Sequence, residues 1–198
     1  MNAEKARQLR EGVRRAYSAA AEQPQADHPF RVGRQYAEDL GYPAEALAAL
    51  PVAAAEAFAG VSNVNAFADI PVGATVLDLG CGAGVDALIA AQRVGPQGRV
   101  IGVDFSEAML ARARRAAIEL GAVNVDFRYG DAENLPIEDG GTEVALVNGI
   151  FNLNPAREAI FRELARVVRP GGAVYVAELI LREPLPSEIQ DSESDWFA

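Results

Sequence analysis

Hydrophobic positions follow two different rhythms along the chain. Over residues 3–22 they recur every three to four positions, so Leu9, Val13, Ala16, Tyr17 and Ala20 share one face of an amphipathic helix. Arg7, Arg10, Arg14 and Arg15 cluster near that face and read as solvated surface arginines. Residues 23–32 are turn-rich and carry the only histidine, His28. Short helical patterns follow at 33–40, at 43–50 with Pro43 at the first helical position, and at 51–59 up to Gly60.

From Thr75 the rhythm changes to strands alternating with helices. Apolar β-forming runs occupy 75–79, 99–103, 125–129, 143–147 and 173–181. Between them lie a helix over 84–94 stopped by Gly95-Pro96 and one over 107–120, opened by Ser106 as N-cap and ended by Gly121. A third helix begins at Asn154-Pro155, carries Ile160, Leu164, Val167 and Val168 on its apolar face, and ends at Pro170-Gly171-Gly172. Strands separated by helical crossovers require a parallel sheet with right-handed connections, so the fold class is α/β, doubly wound and Rossmann-like. The division expected is a helical lid or cap over 1–71, an α/β domain over 72–182, and an acidic tail over 183–198 that ends in Trp196 and Phe197.

Composition narrows the function. The 198 residues carry a formal net charge of −10, which repels a phosphate backbone, so no nucleic-acid partner is expected. Cys81 is the only cysteine, leaving no intrachain disulfide and no cysteine-based metal site; no metal is expected. The charged N-terminus lacks an apolar signal core and no apolar run reaches 18 residues, so the expectation is a cytoplasmic protein with no membrane partner.

The candidate chemistry gathers where the first strand ends. Asp78 is the one charge in that strand, and the turn after it reads Gly80-x-Gly82-x-Gly84 before a helix, a layout that brings backbone close to a nucleotide-like ligand. A dinucleotide fingerprint needs G-x-G-x-x-G, and the place of its last glycine is taken by Val85. Asp104 closes the second strand 20 residues beyond Gly84, where a carboxylate accepts both ribose hydroxyls. Asp131 follows the third strand, within reach of an adenine amino group, and Asn148 ends the fourth. The plain alternative is that these are ordinary strand-end polar residues of a generic α/β domain.

Four stretches together carry a resemblance: 76–84 (Val-Leu-Asp-Leu-Gly-Cys-Gly-Ala-Gly), 102–106 (Gly-Val-Asp-Phe-Ser), 130–136 (Gly-Asp-Ala-Glu-Asn-Leu-Pro) and 168–172 (Val-Arg-Pro-Gly-Gly). In this order they resemble the successive motifs of class I S-adenosylmethionine-dependent methyltransferases, over residues 72–182. The resemblance implies S-adenosylmethionine as cofactor, with Asp78 and the turn Gly80, Cys81, Gly82 and Gly84 on its methionine portion. It also implies Asp104 on the ribose, Asp131 with Ala132 framing the adenine, and Phe105 and Met109 packing near the adenine face. Cys81 then serves packing within the turn, and Glu133 and Glu178 are solvated or structural. The implied activity is in-line methyl transfer to a small molecule, in which alignment and water exclusion do the work. His28 is a candidate base, and Tyr17, Tyr36 and Asn148 are candidates to line the substrate cavity.

Residues 40–51, 58–63 and 148–155 are also similar to arsenite methyltransferases, which bind trivalent arsenic through thiolates. Where that group carries arsenic-binding cysteines this chain has Ser62 and Gly149, so a relative with a changed substrate is expected. The family's sheet usually has seven strands and five are visible here. The last two missing would leave 173–181 as an edge strand, to be covered by a second copy or a partner chain. The rival functions are a cofactor-binding module without catalysis, completed by a partner, and an NAD(P)-dependent oxidoreductase, which Val85 disfavours.

Overall fold

The computed structural model describes residues 3–180. The tail 183–198, with Trp196 and Phe197, lies outside them. Its centre is a five-stranded parallel sheet of β1 (Thr75–Leu79), β2 (Arg99–Asp104), β3 (Val125–Tyr129), β4 (Thr142–Asn148) and β5 (Val168–Ala177), in the order β3-β2-β1-β4-β5. Strand order reverses between β1 and β4, and at such a switch point open α/β sheets leave a crevice at their carboxyl edge.

The pleat sorts side chains to two cores. Val76, Val100, Val144 and Leu146 face α5 (Val85–Val94) and α6 (Glu107–Leu120). Leu77, Leu79, Ile101, Val103, Ala145 and Val147 face α7 (Arg157–Val167). Asp78 shares the face of Val76, so its carboxylate is driven beneath the start of α5.

Four elements depart from the sequence expectation. The last strand runs Val168–Ala177 and not 173–181, because pairing with β4 resumes on both sides of a register shift at the Pro170-Gly171-Gly172 stretch; 181 itself lies outside the described residues. The helix expected over 51–59 is a single turn, α4 (Val52–Ala55). Pro43 stands at the N-cap of α3 (Ala44–Ala48) in extended conformation, and Asn154 precedes α7 by an extra turn, its Oδ1 accepting from the Ala156 amide at 2.8 Å.

The N-terminal helices are not a separate layer. Ala37 of α2 (Arg34–Asp39), Tyr42, Leu47 of α3 and Ala54 of α4 belong to the same core as Val76 and Leu88. α1 (Ala3–Glu22) lies across the carboxyl edge: Ala20 and Ala21 pack with Ala57, Ala83 and Met109, and the Ser18 and Ser106 hydroxyls meet at 2.8 Å. Arg112 of α6 donates to the carbonyls of Ala21 and Ala53, tying α1 and α4 to the sheet layer. Among the described residues no helix is long and apolar enough to cross a membrane.

Candidate functional site

The glycine turn leaves β1 through three residues of positive φ: Gly80 at 74°, Gly82 at 50° and Gly84 at 92°. Only glycine takes this course without strain. At Gly84 a side chain would also strike Phe127 and Ala113, so this residue sets how closely α5 and α6 approach. Gly84 is therefore a packing residue, and like Asp78 it lines no part of the cleft above.

That cleft consists of two adjoining cavities open to solvent. The larger is floored by Gly80, Cys81 and Gly82 and walled by Tyr17, Phe58 and Met109. The smaller runs past Val103 to Asp131 and Ala132, under Arg10 and Val13 of α1. Asp104 and Phe105 line both.

Asp104 is the junction. Its Oδ2 accepts from the Gly82 amide at 2.9 Å and its Oδ1 from the Ser106 amide at 2.8 Å, coupling the glycine turn to the N-terminus of α6. Burial pushes its carboxyl up to about 6, against the lowering effect of those amides. Ser106 is the N-cap the sequence suggests, its Oγ accepting from the Met109 amide at 3.3 Å.

Asp131 and Ala132 do reach the cleft, but Asp131 is not alone there. Arg10 donates to its Oδ1 at 2.8 Å and to Glu133 at 3.1 Å, so Arg10 is a latch from α1 to the β3 end and not the solvated arginine of the sequence reading. Arg7 and Arg14 do sit in local pairs, with Glu4 and Glu11. The recurrence Arg10, Val13, Tyr17 on one helical face was the available signal, since all three line the cleft.

Asn148 lines the larger cavity with its amide wholly engaged by the protein. Its Oδ1 accepts from Val61 at 2.8 Å and Ser62 at 3.3 Å, and its Nδ2 donates to the Ser62 carbonyl at 2.8 Å and Asp86 Oδ2 at 2.9 Å. Asp86, absent from the sequence expectations, also accepts from the Tyr42 hydroxyl and Asn65 Nδ2, both at 2.7 Å. The loop 60–65 is thereby bound to the end of β4 through one buried carboxylate. Nothing in the local pattern around Asp86 announces this, because its partners are 21 to 62 residues away.

Asp78 lies behind the turn. It accepts from the Ala87 amide at the start of α5, while its Oδ2 finds no partner among the described residues. Burial, then the charges of Asp86 and Asp104, hold its carboxyl well above the usual range. Cys81 is buried, and burial, then the charges of Asp104 and Asp78, hold its thiol well above the usual range. Of the remaining candidates, Tyr17 stacks on Phe30 at 4.4 Å and burial keeps its phenol neutral. Tyr36 lines neither cavity, and nor does His28, whose Nε2 is 2.9 Å from the Gln23 carbonyl. Phe105 and Met109, paired around one ring by the resemblance, part company: Phe105 reaches both cavities and Met109 only the larger.

A parallel sheet with a crevice at its switch point, a glycine turn at the end of its first strand and a buried carboxylate one strand over defines a Rossmann-like fold of the kind that binds nucleoside ligands. Residues 70–197 match the family model of the methyltransferase domain, and the chain belongs to that family. It is 41% identical over 153 residues to an arsenite methyltransferase of Halobacterium salinarum, covering 77% of this chain and 39% of that protein. It is 38% identical over 106 residues to a demethylmenaquinone methyltransferase of Lactococcus lactis, covering 54% and 42%. The chain thus spans about two fifths of the length of these relatives. Among solved structures, it aligns with an arsenic(III) S-adenosylmethionine methyltransferase from Chlamydomonas reinhardtii at a TM-score of 0.68 and 31% identity, covering 78% of this chain and 56% of the other.

S-adenosylmethionine is the cofactor this kinship indicates. The residues fit it. The Gly80–Gly82 backbone floors the larger cavity, and Asp104 presents a buried carboxylate where the two cavities meet.

Proposed function

We propose that the chain is the donor-binding part of an S-adenosylmethionine-dependent methyltransferase acting on a small molecule. The observation that carries this is Asp104, held between the Gly82 and Ser106 amides where both cavities meet. When bound, the cofactor supplies a methyl group already activated on a positively charged sulfur. In this reading Asp104 takes the ribose hydroxyls, Asp131 and Ala132 the adenine, Phe105 one face of the ring, and the Gly80–Gly82 backbone the methionyl arm. Asp86 and Asn148 hold the wall made by loop 60–65, and α1 closes the cleft and excludes water.

In this reading the acceptor enters the larger cavity beside the methionyl arm, against an apolar wall that includes Ala57, Phe58 and Ala59. Such a wall favours an apolar small molecule over trivalent arsenic, which needs soft thiolate ligands. Cys81 offers no second thiol beside it, and Gly149 has a φ of 77° with Val61 against it, a backbone that disfavours the cysteine the arsenite group carries there. Isothermal titration tests the reading: folded protein binds S-adenosylmethionine or S-adenosylhomocysteine, and binding of neither overturns it.

A second reading, a cofactor-binding module completed by another copy or a partner chain, is favoured by one observation. β5 is an edge strand among the described residues and exposes Val174 and Val176 at 41% and 38%. Native mass spectrometry showing a monomer that turns over an acceptor would discard it.

A further inference from the structure

Ile150 sits at the waist of the cleft, where it lines both cavities. Its side chain lies so close over the glycine turn that a Cβ built on Gly80 would fall within it. Its placement is fixed on both sides. Gly149, in left-handed conformation, donates to the Ala177 carbonyl at 2.9 Å; the Phe151 amide donates to Glu178 at 2.6 Å; and the Leu153 amide returns to the Ile150 carbonyl at 3.2 Å. A β-branched side chain between such tethers has little rotamer freedom.

The proposed donor has a nucleoside joined through sulfur to an amino-acid arm. Asp104 and Asp131 draw the nucleoside into the smaller cavity, and the glycine turn draws the arm into the larger. The sulfur between them must pass the waist. Val13 approaches from α1 and Phe105 from the β2 end, whereas Ile150 alone packs onto Gly80 from the β4 side, next to Gly149 and the acceptor wall. We propose that Ile150 is a specificity-determining residue that sizes the space beside the sulfur and limits the donor to a methyl-sized transferable group. The proposal rests on the reading of the cleft as a sulfonium-nucleoside site.

The test is titration calorimetry on wild type, Ile150→Ala and Ile150→Val with four probes: S-adenosylhomocysteine, S-adenosylmethionine, and its analogues bearing S-allyl or S-benzyl in place of S-methyl. Wild type is expected to bind the benzyl analogue about 10- to 200-fold more weakly than the methyl compound, the discrimination an apolar wall gives against added bulk. Ile150→Ala should bring that ratio to within about threefold. Ile150→Val should relax the ratio for allyl and keep it for benzyl, and it carries the test if the alanine variant fails to fold by circular dichroism. Equal binding of methyl and benzyl donors by wild type overturns the proposal, as does an unchanged ratio in the folded variants. Binding of neither S-adenosylmethionine nor S-adenosylhomocysteine to wild type is the distinct result that removes the proposed function itself.

Discussion

Replacing Asp104 by asparagine should make the ligand-free protein more stable at neutral pH and a poorer nucleoside binder. Burial raises this carboxyl from 3.8 to about 6. Two pH units at about 1.4 kcal/mol each put the cost of the ionised group in the fold at roughly 3 kcal/mol at pH 7. Since the folded value lies above the unfolded one, the stability linked to this group is complete below about pH 4 and is lost as pH rises through about 6. An asparagine escapes that cost but keeps one carbonyl oxygen for two amide donors, Gly82 and Ser106. Leaving one of them unsatisfied costs about 1–2 kcal/mol. The variant should therefore be more stable than wild type by about 1–2 kcal/mol at pH 7 and less stable at pH 4, so the two stability curves cross. It should also lose the charge-assisted bonds from the ribose, weakening S-adenosylhomocysteine by about 1–3 kcal/mol, or 5- to 150-fold. In wild type, affinity should climb with pH to about 6 and then level off, because the ligand favours the ionised carboxylate. Urea melts at both pH values and titration calorimetry measure these quantities. A variant less stable than wild type by the same amount at both pH values, or one that binds unchanged, refutes the assignment.

Asn148→Ala strips acceptors from the Val61 and Ser62 amides and a donor from buried Asp86, so a loss of about 2–4 kcal/mol is expected in denaturant melts. Faster amide exchange should be confined first to loop 60–65. Arg10→Ala breaks half-exposed ion pairs to Asp131 and Glu133 and should cost less than about 1 kcal/mol of stability. The same change should raise proteolytic cleavage within α1, and an unchanged cleavage rate would show that Arg10 is no latch. Cys81 should resist a disulfide reagent in the native state and react at the free-thiol rate in denaturant, and equal rates would contradict its burial.

The sheet was legible because its information is local. Each strand is a short apolar run between turn residues, and the carboxyl edge follows from the alternation that makes the sheet parallel. Asp104, Asp131, Asn148 and the glycines stand at strand ends, so their convergence was legible too. What Asn148 does there was not: its partners are Val61 and Ser62 of loop 60–65, Asp86 of α5 and the Tyr42 hydroxyl, and no spacing rule connects them. Asp78 shows the converse. Its motif position suggests ligand contact, yet the two-residue period of β1 turns it toward α5 and behind the turn. Arg10 was misread because an exposed helical arginine is usually solvated, and only the packing of α1 across the edge brings Asp131 and Glu133 to it.

The reach of α1 bears on how this protein is divided for transplantation. Arg10, Val13 and Tyr17 are supplied more than sixty residues ahead of the glycine turn they help enclose. A graft cut at the motif-bearing segment 72–182 would carry the floor and side walls of the cleft into a chimera and leave its ceiling behind. The smallest portable unit therefore begins with the first helix, and the long intervening stretch travels with it.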